Sequence, residues 1–184
     1  TQGLKDLLSN ALKRLLRNQG DPVIELQTNF GGGKTHSLLA LLHLFENLKV
    51  ASNLVGVDEL LKSLDVKGQL PVVNTAIFVG TSLGVNERSI KPDGTEIRSI
   101  WGEIAWQLGK KAGYAIVADS DRNRTSPGTD SLVQLFKQFS PSLIIIDEWI
   151  AYIRNVYNTP FFDANLTFAQ VLTEAATAAP NTLV

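Results

Sequence analysis

The chain has 184 residues, 44 % of them hydrophobic and 19 % charged, with 17 basic against 18 acidic residues for a net charge of −1. That is enough apolar material for one domain with a sizeable core, and too little net charge to draw the whole protein to nucleic acid or to an anionic membrane. With no cysteine, disulfide scaffolds, thiolate metal sites and cysteine catalysis are excluded; no apolar run reaches membrane-spanning length and nothing resembles a signal peptide, so a cytoplasmic protein with no membrane partner is expected.

Leu4, Leu7, Leu8, Ala11, Leu12, Leu15 and Leu16 recur at helical spacing, with Lys5, Asp6, Lys13, Arg14 and Arg17 opposite. This pattern predicts an amphipathic helix lying on a sheet and stopping near Gly20. Asp21-Pro22 introduces a first strand over 23–27. The run Thr28-Asn29-Phe30-Gly31-Gly32-Gly33-Lys34-Thr35 then leads into a segment, Ser37 to Leu48, that is apolar nearly all round, as in a helix buried centrally.

Strand, glycine loop, Lys-Thr and helix in that order make a cradle for a nucleoside triphosphate. Successive backbone N–H groups and the positive end of the helix dipole face the phosphate oxygens. Asn29, Phe30, Gly31, Gly32, Gly33, Lys34, Thr35 and His36 are the candidate nucleotide-binding set. Lys34 would reach the β- and γ-phosphates and the Thr35 hydroxyl would hold Mg²⁺. The pattern departs from G-x-x-x-x-G-K-[ST] at its first position, which is Thr28. His36 and His43 are expected to pack rather than to act.

A shorter helix is predicted over Asp58 to Leu64, and a strand over 76–80 preceded by Val72-Val73. Gly80 to Glu96, with Arg88 and Lys91, reads as an irregular excursion, either solvated or in contact with a partner. Ile97, Ile100, Trp101, Ile104, Ala105 and Leu108 predict a helix ending near Lys110-Lys111-Ala112-Gly113. The polar segment Asp119 to Gly128, carrying Arg122 and Arg124, reads as a loop, and Asp130 to Phe139 as a short helix.

That helix feeds Leu143-Ile144-Ile145-Ile146-Asp147-Glu148. A continuous apolar run suits a parallel strand covered on both faces, and its end lies at the carboxyl edge, where open α/β sheets bind ligands. There Asp147 would join the Mg²⁺ shell and Glu148 would act as general base on the attacking water, with Trp149 packed beneath. Helices are expected around 150–157 and 166–178, and Asn181 to Val184 reads as the beginning of a strand.

Strands 23–27, 76–80, 143–147 and 182–184, alternating with helices, predict an α/β fold: a three-layer αβα sandwich on a mainly parallel sheet. The chain contains no methionine and stops on that last strand. It is therefore expected to be truncated at its C-terminal side, a piece of a longer protein.

The segments Phe30 to Ser37, Lys91-Pro92-Asp93-Gly94-Thr95-Glu96 and Ile145 to Tyr152 carry a resemblance. The chain resembles P-loop NTPases of the AAA+-like group, in which aspartate and glutamate end one strand. Within that group it is similar to the large predicted bacterial and archaeal ATPases found beside restriction–modification and phage-defence genes. The resemblance implies a single P-loop NTPase domain over 1–184, the N-terminal portion of an ATPase core. It also implies ATP and Mg²⁺ binding, and hydrolysis with Lys34 and Glu148 as catalytic residues and Thr35 and Asp147 at the metal. In the strand order usual for that class, the strand at Asn181 inserts between the Lys34 strand and the Asp147 strand. Sensor and arginine-finger residues would lie beyond Val184, so the piece alone is expected to be a weak or inactive ATPase. Protein partners or self-association through the larger protein are expected. The alternatives are an ATP-binding switch or scaffold with little hydrolysis, and a DNA translocase or helicase motor, which the near-neutral charge disfavours.

Overall fold

A computed structural model describes residues 2–27, 33–46, 57–63, 72–81 and 88–184. The described residues form seven helices: α1 (Gln2–Arg17), α2 (Lys34–Glu46), α3 (Val57–Ser63), α4 (Ile100–Asn123), α5 (Thr129–Gln138), α6 (Trp149–Val156) and α7 (Phe162–Ala178). The strands are β1 (Asn74–Val79), β2 (Ser89–Ile90), β3 (Glu96–Ile97), β4 (Ser142–Asp147) and β5 (Thr182–Leu183). The protein is thus of the mixed α/β class.

The main sheet has the order β1-β4-β5 and is parallel throughout. β1 and β4 pair in register from Asn74 opposite Ser142 to Val79 opposite Asp147, while Thr182 and Leu183 lie opposite Ser142 and Leu143. Beyond β5, the Ile24 amide donates to the Val184 carbonyl and the Val184 amide to the Pro22 carbonyl, both at 2.9 Å. The strand expected over 23–27 is therefore present as this short parallel pairing and not as a regular strand. Pro22 has no amide to extend the ladder to the Thr182 carbonyl, which accepts from Arg14. The Pro22–Ile24 segment nonetheless lies on the far side of β5 from β4, so β5 sits between them.

Side chains alternate across the strands and build a core on each face. On one face Ala76, Phe78 and Ile144 pack with Trp101 and Ile104 of α4, Phe136 of α5, Tyr152 of α6 and Phe168 of α7. On the other, Val73, Leu143, Ile145 and Leu183 pack with Leu8, Leu12 and Leu15 of α1, Leu41 and Leu44 of α2 and Leu61 of α3. β4 is buried from Ser142 to Ile145, as its unbroken apolar run required.

Several expectations are corrected. Arg14, assigned to the polar face of α1, is buried, with 7 % of its surface exposed. Its Nε donates to the Thr182 carbonyl and its Nη2 to the carbonyls of Ala176 and Ala179, each at 2.8 Å. The guanidinium meets the C-terminal carbonyls of α7, where the helix dipole is negative, and ties that end to β5. The helix expected to stop near Lys110 breaks at Gly109–Lys110 and resumes to Asn123, so 119–123 is helix and not loop.

The 80–96 excursion contains a hairpin, β2 antiparallel to β3; residues 82–87 fall outside the described residues. Its turn is fastened to α4. Lys91 forms a largely buried ion pair with Glu103 at 2.7 Å, the Trp106 indole N–H donates to Asp93, and Lys91 and Lys110 both lie over the Trp106 ring. Desolvation opposes the Asp93 charge, but bonds from Thr95 and Trp106 and the nearby Lys111 prevail and hold its carboxyl down at about 2. Buried Asp121 joins the hairpin to both halves of α4, accepting from the Arg98 amide, the Ser99 hydroxyl and the Tyr114 hydroxyl.

Candidate functional site

The candidate residues gather at the carboxyl edge of β4. α2 begins directly at Lys34, preceded by Gly33 at φ +76°, a left-handed conformation that glycine adopts without strain. Nothing lies within 4 Å of where a Cβ would stand on Gly33, so the demand for glycine there is conformational rather than steric. The Ser37 amide and hydroxyl both bond to the Gly33 carbonyl, at 2.9 and 3.1 Å, which closes the first turn of α2. Lys34, Thr35 and His36 are all exposed. His36, expected to pack, is corrected to a solvent-facing residue, and His43 is likewise exposed, near Glu46 at 3.7 Å. Thr28, Asn29, Phe30, Gly31 and Gly32 lie outside the described residues.

Thr35 and Asp147, 112 residues apart in sequence, are brought together: the Thr35 hydroxyl lies 3.4 Å from the Asp147 Oδ2. The other carboxylate oxygen, Oδ1, accepts from the Glu148 amide at 2.9 Å, which fixes the plane of the group. One hydroxyl and one carboxylate are hard oxygen donors. They suit Mg²⁺, which keeps several waters and takes one or two protein ligands together with substrate phosphates. Among the described residues no group of three or more His, Asp or Glu stands together.

Glu148 is exposed and stands at φ 55°, ψ 35°, the left-handed region, as the residue before α6. Such a conformation in a residue other than glycine costs about 1–3 kcal/mol and persists only when its surroundings enforce it. Those surroundings are well packed. The Tyr152 amide donates to the Glu148 carbonyl at 3.1 Å. Tyr152 is itself buried, edge-on to Phe78 at 5.0 Å, tilted against Trp149 at 5.7 Å, and its hydroxyl donates to Asn165 at 3.0 Å. Burial pushes the Tyr152 phenol up to about 12, against a smaller opposing effect of Arg124. Trp149 packs under the site, as expected.

Sequence reasoning passed over three contributors. Gly80 follows β1 and donates its amide to the Asp147 carbonyl at 2.9 Å; its one signal was an apolar strand ending in glycine. Tyr152 and Asn165 gave no local signal, because they meet across α6 and α7. Of the arginines, Arg88 and Arg98 pair with Glu96, Arg122 pairs with Asp119, and Arg124 lies 4.4 Å over the Phe161 ring.

An α/β protein with two polar motifs converging at the end of a parallel sheet is the class defined by these features. The family model described as the DUF499 N-terminal domain matches residues 1–184, and the chain belongs to that family. No curated protein matches the chain, and no solved structure does. No helix among the described residues is long and apolar enough to cross a membrane.

Proposed function

We propose that this chain is the nucleotide-binding part of an AAA+-like P-loop ATPase, binding ATP with Mg²⁺ and contributing the residues that hydrolyse it. The observation that carries the reading is the approach of Thr35 to Asp147 within 3.4 Å across 112 residues of sequence, at the edge of a parallel sheet where such folds place ligands. The position of β5 between the Pro22–Ile24 segment and β4 is the strand order expected of this class. The apolar clusters on both faces of the sheet support a three-layer arrangement.

In this reading the loop from Asn29 to Gly33 and the first turn of α2 receive the phosphates through backbone N–H groups, and Lys34 neutralises the β- and γ-oxygens. Thr35 and Asp147 would hold Mg²⁺, which when bound supplies charge neutralisation at the phosphates. Glu148 takes the proton of the attacking water. The resemblance to ATPases of phage-defence loci extends the proposal to work done within a larger defence assembly. The engagement of Arg88, Arg98 and Arg122 by carboxylates weakens the DNA-motor alternative.

Binding and turnover test this together. Lys34→Ala is expected to weaken ATP binding by more than 10-fold in calorimetry, a loss of at least ~1.4 kcal/mol. Asp147→Asn is expected to remove the Mg²⁺ dependence of binding. Glu148→Gln should bind ATP normally and release no phosphate when turnover is measured in the intact protein. Unchanged ATP affinity in the Lys34 variant would refute the proposal.

A further inference from the structure

Gly80 and Glu148 touch in a way that neither motif explains. A Cβ built on Gly80 would stand 2.1 Å from the Glu148 carbonyl oxygen, 2.8 Å from the Glu148 carbonyl carbon and 2.9 Å from the Tyr152 Cβ. The first two neighbours are backbone, so no side-chain rotation relieves the overlap. Gly80 is not in a left-handed conformation; the requirement for glycine is one of space. Its amide is bonded to the Asp147 carbonyl at 2.9 Å, so the end of β1 is pressed against both residues of the Asp147–Glu148 turn.

We infer that Gly80 is a positioning residue for Glu148: by lacking a side chain it lets the turn between β4 and α6 close onto the end of β1, and that closure holds Glu148 in its left-handed conformation with the carboxylate outward. Two contacts hold the clamp from opposite sides. Gly80 fixes the Asp147 carbonyl, and the Tyr152 amide fixes the Glu148 carbonyl, with Tyr152 held by Phe78 and Asn165. With both peptide groups pinned, the φ of Glu148 has no freedom to relax. The role in turnover rests on the ATPase reading; the geometric claim stands without it.

Gly80→Ala must shift the turn. In the intact protein it is expected to lower kcat about 100-fold, as for an ångström-scale displacement of a catalytic group, and to weaken ATP binding far less. Adding Glu148→Gln to it should cost little more. A wild-type kcat in Gly80→Ala overturns the inference. A second readout is independent of hydrolysis. If the turn is held left-handed, Glu148→Gly relieves it and Glu148→Ala does not, so the glycine variant should melt about 2–4 °C higher. Equal melting temperatures overturn the inference, including where Gly80→Ala does not fold. If the wild-type protein binds ATP but shows no turnover, the hydrolytic reading fails, and the melting pair alone decides the clamp.

Discussion

Replacing Arg14 should be among the most damaging single changes in this protein, although the sequence places it on a solvent-facing stripe. Its guanidinium makes three hydrogen bonds of 2.8 Å to the carbonyls of Thr182, Ala176 and Ala179, and has 7 % of its surface exposed. Burial lowers its pKa, which means that the fold bears a desolvation cost for the charge and that removing it returns something. Against that return stand three buried carbonyls left without a donor, each costing about 1–3 kcal/mol. Arg14→Met keeps the apolar stem and removes the fork, and the net loss is expected near 3–5 kcal/mol, the range for breaking a buried charged interaction from one side.

The assay is equilibrium urea unfolding, supported by thermal melting. For a chain of this length 1 kcal/mol corresponds to about 2–4 °C, so Arg14→Met should melt roughly 6–20 °C lower. Arg14→Lys, which keeps the charge but replaces a planar fork with one ammonium, should lose about half as much. Amide exchange should accelerate at Val184 and Ile24, whose ladder lies beside the Thr182 carbonyl. An Arg14→Met protein within 1 kcal/mol of wild type would refute the reasoning, showing that water replaces the fork at little cost.

Two further outcomes follow from charge and burial. Tyr114 and Tyr152 both rise from 10.0 to about 12 by burial, Tyr114 also through Asp121; their neutral forms are favoured by the fold, so this stability is complete below pH 10 and drains as pH climbs toward 12. For buried Tyr152 the shift is worth about 3 kcal/mol, and Tyr152→Phe, read by urea unfolding at pH 8 and pH 11.5, should flatten part of that loss; an unaltered pH slope would contradict it. Lys91→Met should destabilise by about 2 kcal/mol, since it leaves the largely buried Glu103 carboxylate without its cation and with the Gln107 amide as a neutral donor, and limited proteolysis should then cut within 88–97; wild-type stability and resistance would show that the pair contributes nothing.

The two motifs were legible in the sequence because each is local. A glycine run before an apolar stretch marks the start of α2, and an apolar run ending in Asp147-Glu148 marks β4, each within a few residues. β4 was read almost to its ends because a strand buried on both faces needs an unbroken apolar run. What could not be read is long-range. Arg14 follows the spacing of the α1 polar face, and only the carbonyls of α7, more than 160 residues later, turn it inward. The resumption of α4 after Lys110 was hidden by a Gly-Lys break of the kind that normally ends a helix. The pairing of Lys91 with Glu103 made a polar stretch read as solvated when its charges are in fact turned onto α4.

The way the site is assembled follows from the same long-range contacts. Adjacent strands lie about 4.8 Å apart, so the Pro22–Ile24 segment and the strand that ends in Asp147, with β5 between them, are separated by roughly twice that. Thr35 approaches Asp147 from the first turn of α2, which begins at Lys34. β5, which belongs to neither motif, lies between the Pro22–Ile24 segment and the strand that ends in Asp147. β5 is held at Thr182 by Arg14, from the helix preceding the glycine loop. If the protein binds nucleotide as proposed, loss of the Arg14 fork, which holds Thr182 of β5, should lower nucleotide affinity even at temperatures where the protein remains folded, and an unchanged Kd in folded Arg14→Met would contradict that link.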